Sequence, residues 1–158
     1  MDRVTFLITE WTRAKTGIQE YIDAMPEDGI GFKPTPLVRS FAEQMLHVAG
    51  ANYAFASIAS GQDNPYDLLK GNDPEKREDL KQSKAALLKY VMDSYDFMIE
   101  AAKGLDSAKL DGTIDFFKMK MPRYLLLAKA MEHQAHHRGQ TTIYLRLKDV
   151  TPPSERLF

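Results

Sequence analysis

Histidine is the residue type most able to do chemistry in this sequence, and three of the four histidines lie within five positions of one another. They are His133, His136 and His137, in the segment EHQAHHRGQ. Positions i and i+4 of a helix face the same side, so His133 and His137 could bind one divalent metal ion. His136 is rotated by about 100° from His137. The spacing therefore predicts a two-histidine half-site on one helix.

The residues around the pair indicate which side of this helix faces inward. Lys129, Glu132 and His136 form one line along the helix, and that line is charged. The line that carries the histidine pair is otherwise apolar except for a threonine: Leu126, Ala130, His133, His137, Thr141 and Tyr144. An apolar stripe at helical spacing is the buried face of a surface helix. We therefore expect the pair to point inward and His136 to lie at the boundary or in solvent.

The fourth histidine, His47, lies in an earlier segment with helical periodicity. Its neighbours along the helix face are the small residues Gly50, Ala51 and Ala54, which leave room for an ion, a water or part of a substrate. Three imidazoles with an open coordination position are typical of a catalytic rather than a structural metal site. A single inward histidine is more often a hydrogen-bonded core residue, and spacing alone does not show that His47 meets the pair. Both interpretations stay open on the residues alone.

Other metal sites fit the sequence less well. The chain has no cysteine, which excludes thiolate ligands, a cysteine nucleophile and disulfides. Carboxylate-bridged di-iron bundles use a Glu-x-x-His motif on two helices. Here Glu43 is followed at the third position by Leu46, and Glu132 by Ala135. A dinuclear carboxylate site is therefore not expected.

No general base stands out from spacing. Glu43 lies one helical turn before His47 and is a weak candidate for a base at the rim of the site. Glu43 also stands three residues after Ser40, and this spacing is that of a capping box, which accounts for it fully and is the favoured interpretation. Arg138 and Gln140 follow the histidine pair and could either orient a ligand or serve a dimer interface.

The periodicity predicts an all-α protein. Four segments have the helical repeat, at about 2–24, 41–59, 75–103 and 122–147. We expect a loop between the second and third segments, with one short helical turn at 66–69. Residues 105–121 are less regular, and the alternation in IDFFKMKM, residues 114–121, predicts an extended piece there. Four long helices pack most simply as a four-helix bundle. We predict a single domain over 1–158, whose topology the periodicity leaves open.

Composition excludes several classes of function. The 158 residues carry a formal net charge of −1, and their basic residues are scattered among nearly equal numbers of acids. A nucleic-acid-binding protein would usually show a basic patch. No apolar run approaches the ~18 residues that a membrane span needs. The first residues, MDRVTFLITEW, lack the pattern of a signal peptide. We therefore expect a cytoplasmic protein with neither a nucleic acid nor a membrane as its partner.

Two segments of the sequence resemble a known family. The first is SFAEQMLHVAGANYAF around His47, and the second is EHQAHHRGQTTIYLRLKDVTPP. They are similar to the DinB-like (YfiT-like) metalloenzymes, in which a histidine of the second helix is followed by His-x-x-x-His-Arg-Gly-Gln in the last helix. The resemblance extends over the whole chain in helix order. The family name refers to induction by DNA damage and implies no contact with DNA.

The resemblance implies a four-helix bundle of the DinB/YfiT type, with a divalent ion held by His47, His133 and His137. It implies zinc or nickel in the site, with manganese or iron as alternatives, and a homodimer. Relatives with assigned activities are thiol-dependent transferases and isomerases, and some are treated as hydrolases. A low-molecular-weight thiol cofactor is therefore an expectation. The alternative is a non-catalytic metal- or ligand-binding dimeric bundle with a role in the stress response.

Overall fold

Long helices account for most of the protein in the computed structural model, which describes residues 1–66 and 73–157. The helices are α1 (Arg3–Ala24), α2 (Phe41–Ser60), α3 (Glu78–Lys81), α4 (Lys84–Lys103), α5 (Ser107–Asp111) and α6 (Arg123–Leu147). Short 3₁₀ turns occur at Glu27–Gly29 and Pro74–Lys76. The strands β1 (Thr113–Phe116) and β2 (Met119–Pro122) pair antiparallel. The predicted all-helical class is confirmed.

The starts and ends of the helices follow from the local sequence. The Asp2 side chain accepts hydrogen bonds from the amides of Val4 and Thr5 and so begins α1. Ser40 and Glu43 form the predicted capping box at the start of α2. This helix ends at Gly61, which adopts a left-handed φ of 79°, a conformation that glycine reaches without steric cost.

Four helices form the bundle. α2 packs against α4 and α6, and α1 packs against the same two helices, so α1 and α2 lie at opposite corners. The chain therefore crosses the bundle diagonally between α1 and α2 and again between α4 and α6. The sequence order of the helices does not reveal this arrangement, because connections of this length can reach either a neighbouring or a diagonal position.

The core is apolar and lies between the four long helices. Trp11 of α1 and Tyr95 of α4 are fully buried and meet edge to face, with ring centroids 5.8 Å apart. On α6, the residues of the predicted inward stripe that are not histidines are all buried: Leu126, Ala130, Thr141 and Tyr144. The helix-face prediction is thus confirmed, and it is this face that carries His133 and His137 into the bundle.

One prediction about secondary structure needs correction. The predicted third helix, 75–103, is three pieces, because the chain is extended at Arg77 and Ser83 and the Ser83 side chain caps α4 by accepting from the Ala86 amide. The extended piece predicted at 114–121 is confirmed: it is the β1–β2 hairpin, which turns at Phe117 with a φ of 52°. The short helix α5 that precedes it was not predicted. The helical turn expected at 66–69 lies largely outside the described residues.

Within the described part of the chain, none of the helices combines the length and the apolar character that a membrane crossing requires.

Candidate metal centre

The three predicted histidines converge between α2 and α6. Each of His47, His133 and His137 offers one ring nitrogen, and these atoms all lie within 4.8 Å of one another. The Nε2 atoms of His47 and His133 are 3.2 Å apart. The ring centroid of His137 lies 4.5 Å from each of the other two. Spacing predicted the pair on α6, and the fold adds His47 to it.

The other histidine stays outside the cluster. His136 is exposed, as its position on the charged line predicted. Its Nε2 atom accepts a hydrogen bond from the Gln140 side chain at 2.8 Å. Because His136 is exposed, water can replace it as the acceptor for Gln140, so His136 offers a control for substitutions at His137, its neighbour in the chain.

The Nδ1 side of the His47 ring contacts a carboxylate. Its Nδ1 atom lies 2.9 Å from Oε1 of Glu75. Arg39 binds the same carboxylate through two hydrogen bonds: Nε donates to Oε2 at 2.8 Å, and Nη2 donates to Oε1 at 3.4 Å. An ionised carboxylate only accepts hydrogen bonds, so His47 must carry its proton on Nδ1. Its Nε2 lone pair then faces the other two histidines.

The charge state of Glu75 follows from its two partners. Burial alone would raise the pKa of this carboxyl group. The hydrogen bonds from His47 and Arg39, with the positive charge of Arg39, outweigh burial and bring the pKa of Glu75 to about 2. Glu75 is therefore ionised at neutral pH.

His137 is held in a similar way by an amide. Its Nδ1 atom donates to Oε1 of Gln44, 3.0 Å away. The Gln44 amide is oriented in turn, because its Nε2 donates to Oε1 of Gln140 at 2.7 Å. Gln140, which the sequence left as either an orienting or an interface residue, thus orients the group that holds His137. The Nε2 lone pair of His137 is left for a metal.

His133 has no such partner among the described residues. Its Nδ1 atom is buried and makes no hydrogen bond. Burial, together with repulsion from the nearby His47, lowers the pKa of His133 to about 4. Burial and the neighbouring His133 lower the pKa of His137 to about 4 as well. Both rings are neutral at pH 7, and neutral imidazole is the form that binds metals.

A close approach between α2 and the Pro74–Lys76 turn brings Glu75 to His47. Gly50 lies one helical turn after His47, on the same face of α2. A Cβ atom at Gly50 would lie only 3.2 Å from Cγ of Pro74, which is tight packing. The absence of a side chain at Gly50 lets the turn rest on the helix, and Glu75 reaches Nδ1 of His47 from there.

Glu43, the weak candidate for a base, is occupied by helix capping. Its Oε2 atom accepts from the Ser40 amide at 2.8 Å, and the Ser40 hydroxyl accepts from the Glu43 amide at 3.2 Å. Lys33 and Lys81 each lie 3.8 Å from the same carboxylate. These contacts are the ones that the capping interpretation requires.

Aromatic rings of α2 and the hairpin lie beside His133. The ring of Phe55 is 5.9 Å from that of His133, and the ring of Phe116 is 5.7 Å from that of Phe55. Phe117 at the hairpin turn continues this series and is 89% exposed. An apolar wall therefore runs from the histidine cluster to the protein surface.

The three histidines fit a divalent metal ion. Zinc binds imidazole nitrogen at about 2.0–2.1 Å, so two adjacent ligands of one ion lie about 3.0–3.4 Å apart. The separation between the Nε2 atoms of His47 and His133, 3.2 Å, falls in this range. Two of the three rings also have their Nδ1 protons fixed by acceptors, as is usual for metal-ligating histidines.

Glu75, Arg39 and Gln44 contribute to this site and were not found from the sequence. Gln44 gave a usable signal, because it is a polar residue three positions before His47 on a buried stretch of α2. Glu75 gave none, since it was assigned to the start of a long helix 28 residues away from His47. Its role depends on the path of a loop, which local periodicity does not report.

Comparison with known proteins agrees with the fold of this chain. A family model described as the DinB family matches residues 1–156. YjoA, an uncharacterized protein of Bacillus subtilis strain 168, is 24% identical over 144 residues, which cover 89% of this chain and 87% of YjoA.

Solved structures with the same fold include those of three bacterial proteins. A DinB-like protein of Bacillus cereus ATCC 10987 has a TM-score of 0.78 at 19% identity, with 95% of each chain covered. The structure of YjoA has a TM-score of 0.69 at 21% identity, covering 96% of this chain and 95% of YjoA. A conserved protein of Enterococcus faecalis has a TM-score of 0.75 at 17% identity, covering 93% of this chain and 97% of its own.

Proposed function

We infer a function from two facts: this chain belongs to the DinB family, and three of its histidines converge where they could hold one metal ion. We propose that it is a divalent-metal-dependent enzyme that acts on a small molecule, by transfer of a thiol or by hydrolysis. The ligands of the ion are His47, His133 and His137, and the ion is zinc or nickel. The observation that carries the proposal is the 3.2 Å separation of the His47 and His133 Nε2 atoms.

The chemistry of such a site follows from its neutral ligands. A divalent ion bound by three neutral imidazoles keeps its full positive charge, lowers the pKa of a water or thiol that joins it, and polarises a carbonyl group. Three protein ligands also leave an open position for that group. Transfer and hydrolysis differ only in whether a thiol or a water takes the position.

The residues of this chain prepare the site for that ion. Glu75 and Gln44 hold the protons of His47 and His137 on the far side of each ring. Burial keeps His133 and His137 neutral at physiological pH. Phe55 and Phe116 cover the side of His133 with apolar surface, which limits access of water and favours a substrate with an apolar part.

Metal binding tests the proposal directly. The protein is stripped with a chelator, and the affinity for zinc and for nickel is measured by competition with a chromophoric chelator. We expect one ion per chain for the wild type and for His136→Ala. Loss of a residue that only supports a metal ligand lowers metal affinity about 10- to 100-fold. Because His137→Ala removes a ligand itself, we expect a larger fall in affinity. Wild-type protein that binds no ion, or His137→Ala protein that binds as the wild type does, would refute the site.

Activity is tested on the same proteins. The metal-loaded wild type is incubated with low-molecular-weight thiols and small electrophiles, and separately with ester and amide substrates. We expect turnover in one of these sets, lost in His137→Ala and kept in His136→Ala. Stoichiometric metal binding without turnover in either set would favour the alternative, a non-catalytic metal-binding bundle.

A further inference from the structure

We propose, on the premise of the metal site proposed above, that Glu75 is a positioning residue that fixes His47 in its Nδ1–H tautomer. Nothing in the histidine motif points to Glu75, which lies outside the long helices in the Pro74–Lys76 turn. By accepting the Nδ1 proton of His47 at 2.9 Å, it leaves the Nε2 lone pair of His47 directed at the other two histidines. Arg39 holds the carboxylate in place.

Three features distinguish this contact from an ordinary surface ion pair. The carboxylate is only 27% exposed, and it has partners on both oxygens. Gly50 is buried and lets the turn approach α2 closely. The backbone of Arg39 is itself anchored, because the Tyr144 hydroxyl donates to the Arg39 carbonyl at 2.7 Å. The arrangement connects α6, which carries two of the histidines, to the group that orients the third.

The Nδ1–H groups of His47 and His137 donate to hydrogen-bond acceptors of different strength. A carboxylate behind a ligating imidazole both fixes the ring and raises its basicity, whereas an amide carbonyl carries no formal charge. His47 has the carboxylate of Glu75, and His137 has the amide of Gln44. We therefore expect His47 to depend on its partner more than His137 does.

The substitution Glu75→Gln has an outcome that the geometry determines. A glutamine has one acceptor and one donor group at its end. Arg39 can only donate, and its Nε contact at 2.8 Å is charge-assisted. Such bonds are roughly twice as strong as neutral ones, so the amide oxygen will face Arg39. The amide NH₂ group then faces Nδ1 of His47, which must accept, and the His47 proton moves to Nε2. A protonated Nε2 cannot bind a metal.

The primary readout is the tautomer of His47 in the metal-free protein. Imidazole ¹⁵N chemical shifts from long-range ¹H–¹⁵N spectra distinguish protonated from unprotonated ring nitrogens, and His47→Gln identifies the signal. We expect Nδ1–H in the wild type and Nε2–H in Glu75→Gln. The affinity for zinc should fall about 10- to 100-fold in the same variant.

Two further variants separate positioning from a merely structural role. Glu78→Gln removes an exposed carboxylate from the neighbouring α3 helix and should leave tautomer and affinity unchanged. In the double variant Arg39→Met/Glu75→Gln, the amide is free to turn its oxygen to His47. We therefore expect the double variant to bind zinc more tightly than Glu75→Gln alone. If the contact were purely structural, the losses of zinc-binding free energy in Arg39→Met and in Glu75→Gln would add in the double variant. Circular dichroism confirms that each variant is folded.

The results separate this inference from the proposed function. An Nε2–H tautomer of His47 in the wild type would overturn the inference. So would a Glu75→Gln protein that keeps the wild-type tautomer and zinc affinity. Additive losses of zinc-binding free energy in the double variant would also overturn it. Zinc binding that depends on His137 but not on Glu75 would refute the inference and leave the metal site standing. Wild-type protein that binds no ion would refute the metal site, while the tautomer in the metal-free protein would still decide the role of Glu75.

Discussion

Acidification should destabilise the metal-free protein, because two of its histidines resist protonation in the folded state. Burial lowers the pKa of His133 and His137 to about 4, whereas an unfolded chain has histidines with a pKa of about 6.5. Between these values the unfolded state binds protons that the folded state does not. The free energy of unfolding must therefore fall as the pH drops from about 6.5 towards 4.

The magnitude follows from the two pKa values. For one histidine with a pKa of about 4 when folded and 6.5 when unfolded, linkage gives a loss of about 1.8 kcal/mol between pH 7 and pH 5. Both rings are partly exposed, and each lowers the pKa of the other, so twice this value would overcount their shared repulsion. We expect about 2–3 kcal/mol for the pair. Glu75, with a pKa of about 2, stays ionised in the folded state over this range, and its titration in the unfolded state, with a pKa of about 4.3, adds only about 0.1 kcal/mol.

The assay is urea unfolding of the chelator-treated protein at pH 7 and pH 5, followed by circular dichroism. His133→Gln should lose about half of the pH dependence, because it removes one titrating ring and one source of repulsion on His137. His136→Gln, which replaces an exposed histidine, should keep most of the wild-type pH dependence, because His136 ranks behind burial and the other histidines among the causes that lower the pKa of His133 and His137. A wild-type difference below about 0.5 kcal/mol, or a full pH dependence in His133→Gln, would refute the reasoning.

Three further predictions concern residues at the ends of α2. Ser40→Ala removes the hydroxyl that caps the helix and should cost about 1 kcal/mol of unfolding free energy. Glu43→Gln keeps an acceptor for the Ser40 amide and should leave the zinc affinity unchanged. A large loss of zinc affinity in Glu43→Gln would instead give Glu43 a part in the site. Gly61→Ala places a side chain on a residue with a φ of 79° and should cost about 1 kcal/mol in urea unfolding. An unchanged midpoint in Gly61→Ala would contradict the assigned C-cap.

Local sequence signals determined much of the fold and half of the candidate site. The capping box at Ser40 and Glu43 and the glycine at 61 placed both ends of α2 to within a residue. The i, i+4 spacing of His133 and His137 placed both rings on one face of α6. These features depend on residues within one or two helical turns, where the helix geometry is regular and the periodicity is sufficient.

The helical repeat gave a wrong prediction for the segment before α4, where the chain lies outside a long helix. The third helix was predicted to run from about Glu75 to Lys103 on the helical repeat of its apolar residues. The structure has instead a 3₁₀ turn, a short helix and a new start at Ser83. The capping hydroxyl of Ser83 and the packing of Pro74 against Gly50 outweigh a propensity of a few tenths of a kcal/mol per residue.

The tertiary structure alone decided which partners the histidines have. The sequence determined that His133 and His137 share a face, and the family pattern added His47, but no local signal shows that the rings of His47 and His133 approach to 3.2 Å. Glu75 and Gln44 meet His47 and His137 because α2, α6 and the Pro74–Lys76 turn pack together. Such contacts join residues 28 and 93 positions apart, and helical periodicity carries no information across that separation.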